Sequence, residues 1–252
     1  MTARRRSSAE KTRPSVFWPA AAIVVPAISW FAKIEITGGE HLPMDGPYVL
    51  APNHYSEFDP LIVAVAVWRL GRAPRFMAKE SLFRIPVLGA VLRATGMVPV
   101  ARASSAAGAK QSLTQAEQLV EHGRGVIVYP EGSLTREPEL WPMRGKTGAA
   151  RVALAGGIPV IPAATWGVHE ILPRYGKLSF WPPRKRVRVA LGPPVDLARF
   201  AGAAGPASLI GATDAVMADI AGLLGDLRGQ KPPAHRWNPG EHGQKETGRL
   251  ES

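Results

Sequence analysis

Short apolar runs alternate along this chain with longer segments in which apolar residues recur every three or four positions. Apolar runs bounded by turn residues are typical of buried strands, and the longer spacing is typical of amphipathic helices. The runs predict strands at 33–38, 48–53, 75–79, 97–101, 125–130, 158–166 and 186–192. The longer spacing predicts helices at 60–70, 86–94, 105–122, 146–155 and 206–228. The alternation predicts an α/β fold over residues 33–228, a single domain with a mostly parallel or mixed central sheet flanked by helices.

The start of the chain departs from this alternation. A basic arm, residues 1–15, precedes an apolar segment, residues 16–32. As one helix that segment would span about 25 Å, less than the roughly 30 Å hydrocarbon core of a bilayer, and two prolines interrupt it. We therefore predict one or two short helices in the membrane interface, anchored by Trp18 and Trp30. The alternative is a buried helix that packs on the domain.

The end of the chain departs in another way. From residue 229 onward the sequence is polar and rich in proline and glycine, without apolar periodicity. Such a composition predicts a disordered tail over residues 229–252.

Composition narrows the possible functions. Among 252 residues there is no cysteine, which excludes disulfides, thiolate metal sites and a cysteine nucleophile. The net charge of +11 favours a polyanionic partner. Because the basic arm adjoins an apolar segment, and no stripe of interleaved aromatic and basic residues is present, we expect an anionic membrane surface and no nucleic acid. A second basic cluster covers residues 184–188.

The stretch "NHYSEFDP" places a histidine and an aspartate, His54 and Asp59, between a predicted strand and a predicted helix. On a continuous helix two side chains five positions apart would point about 140° away from each other, so a loop must bring them together. In the alternative interpretation Asp59 is the N-cap of the helix, Pro60 is its first residue, and His54 is an ordinary loop histidine.

A second stretch, "VIVYPEGSLTRE", ends a predicted buried strand in a polar loop. In open α/β sheets ligands bind beyond the carboxyl ends of strands, and both loops have that position. Candidate binding residues here are Glu131, Gly132, Ser133 and Arg136, with Gly132 allowing close backbone approach and Arg136 suited to phosphate. A polar turn, with Arg136 paired to a neighbouring glutamate, is the alternative.

Lys146 lies at the predicted start of a helix, a position that suits an oxyanion. The alternative is a solvated surface lysine. The surrounding "GKT" is not a nucleotide-binding loop, because Leu140 occupies the place of its first glycine. The chain also lacks a GxSxG elbow, and "HEIL" at His169 lacks the second histidine of a zinc site. Direct attack by a substrate hydroxyl, with His54 as base, is the simplest remaining scheme.

These stretches together resemble the glycerolipid acyltransferases that include 1-acylglycerol-3-phosphate acyltransferase. "NHYSEFDP" resembles the HxxxxD block of that family, "GMVPVAR" its second block with Arg102 in the arginine place, "YPEGS" its third and "IPVIP" its fourth. The order and spacing agree over about residues 33–195. In one departure, Leu134 and Thr135 separate Ser133 from Arg136, where the family usually has the arginine directly after this position.

The resemblance implies transfer of a fatty acyl group from acyl-CoA or acyl-carrier protein to the sn-2 hydroxyl of 1-acylglycerol-3-phosphate, for phospholipid biosynthesis. It implies that His54 is the base and that Asp59 orients it. Arg102, the 131–136 loop and Lys146 would hold the acceptor phosphate, and Glu131 would orient these cations or the acceptor hydroxyl. No metal and no cofactor besides the acyl donor is expected.

The expected location is the cytoplasmic face of the cell membrane, as a peripheral or monotopic protein. Two alternatives remain open at this point. The acceptor could be another lysophospholipid or a glycolipid, or the chain could be a non-catalytic basic module that binds membranes or nucleic acid.

Overall fold

The computed structural model describes residues 7–12, 15–100, 105–179, 181–202 and 205–245. Its α-helices are α1 (Ala9–Thr12), α2 (Phe17–Phe31), α3 (Asp59–Arg69), α4 (Pro86–Ala94), α5 (Ser105–His122), α6 (Gly148–Gly156) and α7 (Pro206–Arg228). Its strands are β1 (Ala32–Thr37), β2 (Tyr48–Pro52), β3 (Met77–Lys79), β4 (Val98–Val100), β5 (Gly125–Ile127), β6 (Val160–Trp166) and β7 (Lys185–Leu191). Each predicted strand and helix is present, within a few residues at its ends.

Five of the strands form a mixed sheet in the order β1-β7-β6-β2-β5. The neighbouring pairs are parallel except β6 with β7, which is antiparallel. Strands β3 and β4 pair separately, and a bridge between Phe76 and Ile127 joins this pair to β5. The predicted α/β fold with a mixed central sheet flanked by helices is confirmed.

The central strands are buried on both faces, as their nearly continuous apolar sequence predicts. Along β2, Leu50 faces a core shared with α2 and α3, whereas Val49 and Ala51 face a core shared with α5, α6 and α7. This alternation follows from the two-residue period of a strand. The sheet is therefore the middle layer between two groups of helices.

The topology brings several chain segments to one edge of the sheet. β2 and β6 are parallel and end at this edge, whereas β7 runs antiparallel to β6 and begins there. β1 is parallel to β7 and also begins at this edge, directly after α2. We call it the catalytic edge, because the loop that follows β2 carries His54, the predicted base.

The apolar segment near the start of the chain forms one helix, α2, with Pro26 inside it. Phe17 and Ile28 are buried, and α2 packs against α3. Ile23 and Trp30 are exposed. The helix thus has a packed side, as in the alternative interpretation, and an outward side, as the interfacial interpretation requires.

The predicted disorder after residue 229 is wrong for the part of the tail that the structure describes, residues 229–245. The carbonyl of Trp237 accepts the backbone N–H of Arg144 at 2.8 Å, and Arg236 binds the carboxylate of Asp214 at 2.6 Å. A short 3₁₀ helix, Pro239–His242, follows. Polar composition indicated disorder, but specific hydrogen bonds to α7 and to the segment before α6 hold this stretch in place.

Among the described helices, α7 is long and apolar enough to cross a bilayer by length and composition alone. However, its buried side packs on β6 and contributes Val216, Met217 and Ile220 to the core beneath the sheet. Apolar helices of a protein core meet the same criteria, so this helix has an adequate explanation in the fold.

Candidate active site

His54 and Asp59 lie against each other in the loop after β2. Nδ1 of His54 is 3.1 Å from Oδ2 of Asp59. Asp59 is fully buried, whereas the His54 side chain keeps 17% of its surface exposed. A carboxylate beside Nδ1 favours the tautomer that donates Nδ1–H to it, which leaves the lone pair on Nε2. Nε2 is therefore the atom of this pair that can accept a proton.

Asp59 is not the N-cap of α3, so that part of the alternative interpretation is wrong. The helix begins at Asp59 itself, and no side chain caps it. Instead, Oδ2 accepts the backbone N–H groups of Tyr55 and Ser56 at 2.7 and 2.8 Å, besides His54. These N–H donors and the positive end of the helix dipole stabilise a carboxylate that is removed from water.

The histidine loop is also fastened to the end of β6. The side-chain amide of Asn53 donates to the carbonyl of Thr165 at 3.2 Å and accepts its N–H at 2.8 Å. The hydroxyl of Tyr55 accepts the N–H of Val168 at 3.0 Å. Through these bonds two segments more than one hundred residues apart fix the backbone on both sides of His54.

Tyr129 supports the imidazole from one side. The two rings are stacked, with centroids 4.1 Å apart and an angle of 29° between the planes. Phe76 in turn stacks on Tyr129, at 6.4 Å. Burial raises the pKa of Tyr129 well above its ordinary value, so the phenol stays neutral. Its hydroxyl has no hydrogen-bond partner among the described residues.

We expect the ring of Tyr129 to matter for catalysis and its hydroxyl to matter little. Tyr129→Phe keeps the stacked surface and should leave kcat within about threefold of the wild type, because no described bond is lost. Tyr129→Leu removes the flat surface beside His54 and should lower kcat about tenfold or more. Steady-state kinetics of both variants checks this. Equal losses would contradict a role for stacking.

Glu131 joins the two predicted loops. Its Oε1 accepts the backbone N–H of His54 at 2.9 Å, and its Oε2 accepts that of Met143 at 3.0 Å. The side chain is fully buried, and this burial raises the pKa of Glu131 to about 8, although the two N–H bonds act in the opposite direction. Glu131 thus positions the backbone of His54. Its predicted contact with a substrate stays a prediction.

Gly132 and Lys146 lie next to each other beside this carboxylate. The φ angle of Gly132 is +69°, which favours glycine, and a Cβ there would come within 3.0 Å of the flexible Lys146 side chain. The N–H of Lys146 donates to the carbonyl of Pro130 at 2.7 Å. Lys146 lies two residues before α6 rather than within its first turn. Ser133 is half-buried in the same loop.

Arg136 is buried, with 2% of its surface exposed. The loop that carries it is held by Arg174, whose guanidinium donates to the carbonyls of Thr135 and Glu137. The N–H of Thr135 donates to the carbonyl of His54 at 2.7 Å. Phosphate binding by Arg136 stays a prediction. Arg102 lies outside the described residues.

A pocket of about 460 Å³ adjoins this loop, within the range of small-molecule sites. It lies between the segment before α6, the first half of α7 and the described end of the tail. Its charged lining residues are Glu131, Arg144, Lys146, Asp214, Arg236 and Glu241. The structure therefore brings two predicted residues, Glu131 and Lys146, to one cavity.

Several residues of the site could not be identified from sequence patterns. Arg174 comes from a segment that carries no recognisable motif, and Thr165 lies three residues after the fourth block. Asn53, Tyr55 and Tyr129 stand within or beside the motifs, and that proximity was the only available signal. Their roles depend on contacts between distant segments.

Comparison with known proteins identifies the family. The sequence profile of the family described as Acyltransferase matches residues 33–166, just over half of the chain. The chain belongs to the acyltransferase family. The match begins in β1 and ends in β6, so it contains both loops of the site.

Relatives of this acyltransferase carry a more specific name. The chain is 33% identical over 144 residues to the chloroplastic 1-acyl-sn-glycerol-3-phosphate acyltransferase BAT2 of Brassica napus, covering 57% of this chain and 40% of the relative. It is 31% identical over 145 residues to the 1-acyl-sn-glycerol-3-phosphate acyltransferase of Borreliella burgdorferi, covering 56% of this chain and 55% of the relative. The chain thus spans about half, or less, of these relatives.

A solved structure shows the same fold. The 1-acyl-sn-glycerophosphate acyltransferase PlsC of Thermotoga maritima superposes with a TM-score of 0.60 at 22% identity, over 86% of this chain and 82% of that one. The similarity includes segments outside the family match. At this identity it establishes the shared architecture only.

Proposed function

We propose that this acyltransferase transfers a fatty acyl group from acyl-CoA or acyl-carrier protein to the sn-2 hydroxyl of 1-acylglycerol-3-phosphate, forming phosphatidic acid. The observation that carries the proposal is the 3.1 Å contact between His54 Nδ1 and the buried carboxylate of Asp59. This contact orients an imidazole whose other nitrogen can take a proton from an alcohol. The names of the relatives support this acceptor.

In the proposed reaction, Nε2 of His54 removes the proton of the acceptor hydroxyl while its oxygen attacks the thioester carbonyl. Asp59 stabilises the imidazolium that forms. The tetrahedral intermediate then collapses, the carbon–sulfur bond breaks, and the imidazolium returns the proton to the departing thiolate. A positioned base of this kind contributes roughly 10² to 10⁴ in rate. The chemistry needs neither a protein nucleophile nor an added cofactor.

The acceptor phosphate is assigned to the pocket beside Glu131. Lys146 lines it together with Arg144, and these cations suit a phosphate ester. Because the pKa of Glu131 is raised to about 8, that carboxyl is mostly protonated at neutral pH and does not repel an anion there. Arg102 and Arg136 are the other predicted phosphate ligands.

We place the protein at the cytoplasmic face of the cell membrane as a peripheral or monotopic protein. Its acceptor and product are lipids, and α2 exposes Ile23 and Trp30 to the surroundings. The net charge of +11 favours an anionic leaflet.

An acceptor panel tests the proposed function. Purified protein is given acyl-CoA or acyl-carrier protein together with 1-acylglycerol-3-phosphate, other lysophospholipids, a glycolipid, or monoacylglycerol, which has the hydroxyl but no phosphate. We expect kcat/KM for 1-acylglycerol-3-phosphate to exceed that for monoacylglycerol about tenfold or more, because a charge-assisted contact is lost.

The panel also separates the rival functions. Preference for a different lysolipid would replace the acceptor and keep the acyltransferase. Absence of transfer to every acceptor from both donors, in a folded preparation, would support the non-catalytic binding module.

A further inference from the structure

The outward face of α2 is entirely apolar. From Ala22 onward its exposed residues recur at the spacing of one helix face, and they are Ala22, Ile23, Pro26, Ala27 and Trp30. Ile23 is 73% and Trp30 67% exposed. A helix in water normally presents polar residues on this side. This face is therefore suited to an apolar environment.

A second apolar element projects from the loop that precedes β7. We call residues 177–179 and 181–184 the tryptophan loop, after Trp181, which is 82% exposed. Leu178 is exposed as well. The loop is braced from below, because the buried Lys185 donates to the hydroxyl of Ser179 at 2.6 Å and the N–H of Ser179 donates to the carbonyl of Ile171 at 2.7 Å. The indole of Trp181 projects from a loop that hydrogen bonds hold in place, so it loses little conformational freedom when it enters an interface.

The two apolar elements meet at the catalytic edge. The N–H of Arg184 donates to the carbonyl of Trp30 at 3.0 Å, which joins the end of the tryptophan loop to the end of α2. On the other side, the hydroxyl of Ser56 in the histidine loop donates to the carbonyl of Leu172 at 2.7 Å. Hydrogen bonds therefore join the segment that contains the tryptophan loop both to α2 and to the loop that carries His54.

The charge of this region fits an anionic surface. Between Glu170 and Asp196 the sequence has six lysines and arginines and no acidic residue. Lys177 and Arg184, at the two ends of the tryptophan loop, are exposed. Apolar side chains flanked by cations are typical of proteins that bind anionic phospholipids at the headgroup level.

We propose that the tryptophan loop is a second membrane contact, which docks together with the outward face of α2 on an anionic phospholipid bilayer. Two contacts fix an orientation that one helix alone would leave free to rotate. In this orientation the catalytic edge faces the bilayer. A lipid substrate of the proposed reaction would then reach His54 from the interface without crossing water.

Vesicle binding without substrates tests the proposal and does not depend on acyl transfer. The full chain is floated with phosphatidylcholine vesicles that contain phosphatidylglycerol and with pure phosphatidylcholine vesicles. We expect Leu178→Ser with Trp181→Ser to lower the partition coefficient about tenfold or more on both kinds of vesicle. Lys177→Gln with Arg184→Gln should lower it about fivefold or more, on the anionic vesicles only.

A matched pair on α5 provides the control. Leu113 and Val120 are each 47% exposed and belong to a helix on the opposite side of the sheet. Serine at both positions should leave binding unchanged. Wild-type binding by the Leu178 and Trp181 variant, or an equal loss in the α5 control, would overturn the proposal. If circular dichroism shows that the Leu178 and Trp181 variant is unfolded, the Lys177 and Arg184 variant tests the proposal instead. Binding of that variant to anionic vesicles as strong as that of the wild type would overturn the proposal.

Discussion

His54→Ala is expected to lower kcat by roughly 10² to 10⁴ while leaving the melting temperature close to that of the wild type. The imidazole of His54 is partly exposed, and the carboxylate of Asp59 contacts its Nδ1. Its loss removes the proton acceptor. Stability should change little, because Asp59 keeps the N–H groups of Tyr55 and Ser56 as partners.

A surface histidine provides the control for this result. His122, near the end of α5, is exposed and contacts the carbonyl of Gln118 in its own helix. His122→Ala should have wild-type kcat. Measurement of kcat under saturating acyl donor and acceptor compares the two variants. Retained turnover in the His54 variant would remove this residue from the mechanism, and with it the role assigned to Asp59.

Glu131→Gln is expected to destabilise the fold most at low pH, with a deficit that shrinks as the pH rises to about 8. The amide keeps one acceptor oxygen but turns an N–H donor toward one of the two backbone N–H groups that the carboxylate accepts. A lost bond of this kind costs about 1–3 kcal/mol of unfolding free energy. That cost should dominate near pH 5.

The sign of the pH effect follows from the raised pKa. The pKa of Glu131 is about 8 in the folded protein against 4.5 ordinarily. Between these values the folded state binds more protons than the unfolded state, so wild-type stability falls as the pH rises through this window, and the fall ends above the folded pKa. Glutamine does not titrate. The variant therefore does not undergo this decrease in unfolding free energy, which is of the order of a few kcal/mol in the wild type.

Urea unfolding of both proteins at several pH values from 5 to about 9 measures the difference. Glu137→Gln is the matched control. It is the same substitution in the same loop, and among the described residues this carboxylate accepts one backbone N–H, that of Trp141 at 2.7 Å. It should cost less unfolding free energy than the Glu131 substitution. A deficit for Glu131→Gln that stays constant with pH would mean that Glu131 is ionised in the folded protein.

Local patterns were sufficient for the elements of this fold. Apolar runs such as "YVLAPN" predicted strands because a strand in the middle of a sheet must be apolar on both faces. Because successive side chains of a strand point to opposite faces, Leu50 and Val49 of β2 belong to different cores. The histidine loop was also predictable, because a strand end, the five-position spacing of His54 and Asp59 and a helix start are all short-range features.

Composition was misleading where long-range bonds decide the structure. The tail from residue 229 is polar, yet Arg236 and Trp237 bind partners on α7 and in the segment before α6. No local signal predicts such contacts, since each depends on where a remote element lies. In the same way Asp59 has the residue type of an N-cap, but the geometry of its loop turns its carboxylate toward His54.

By itself, then, the sequence determined the order of strands and helices, the position of the histidine loop at a strand end and the apolar character of α2. These features depend on residues that are close to one another in the sequence. The tertiary structure alone decided that Glu131 is buried between two loops, that Tyr129 stacks on His54, and that the end of the tryptophan loop is bonded to the end of α2. Each of these depends on how parallel and antiparallel strands assemble, because strand order determines which distant loops share an edge.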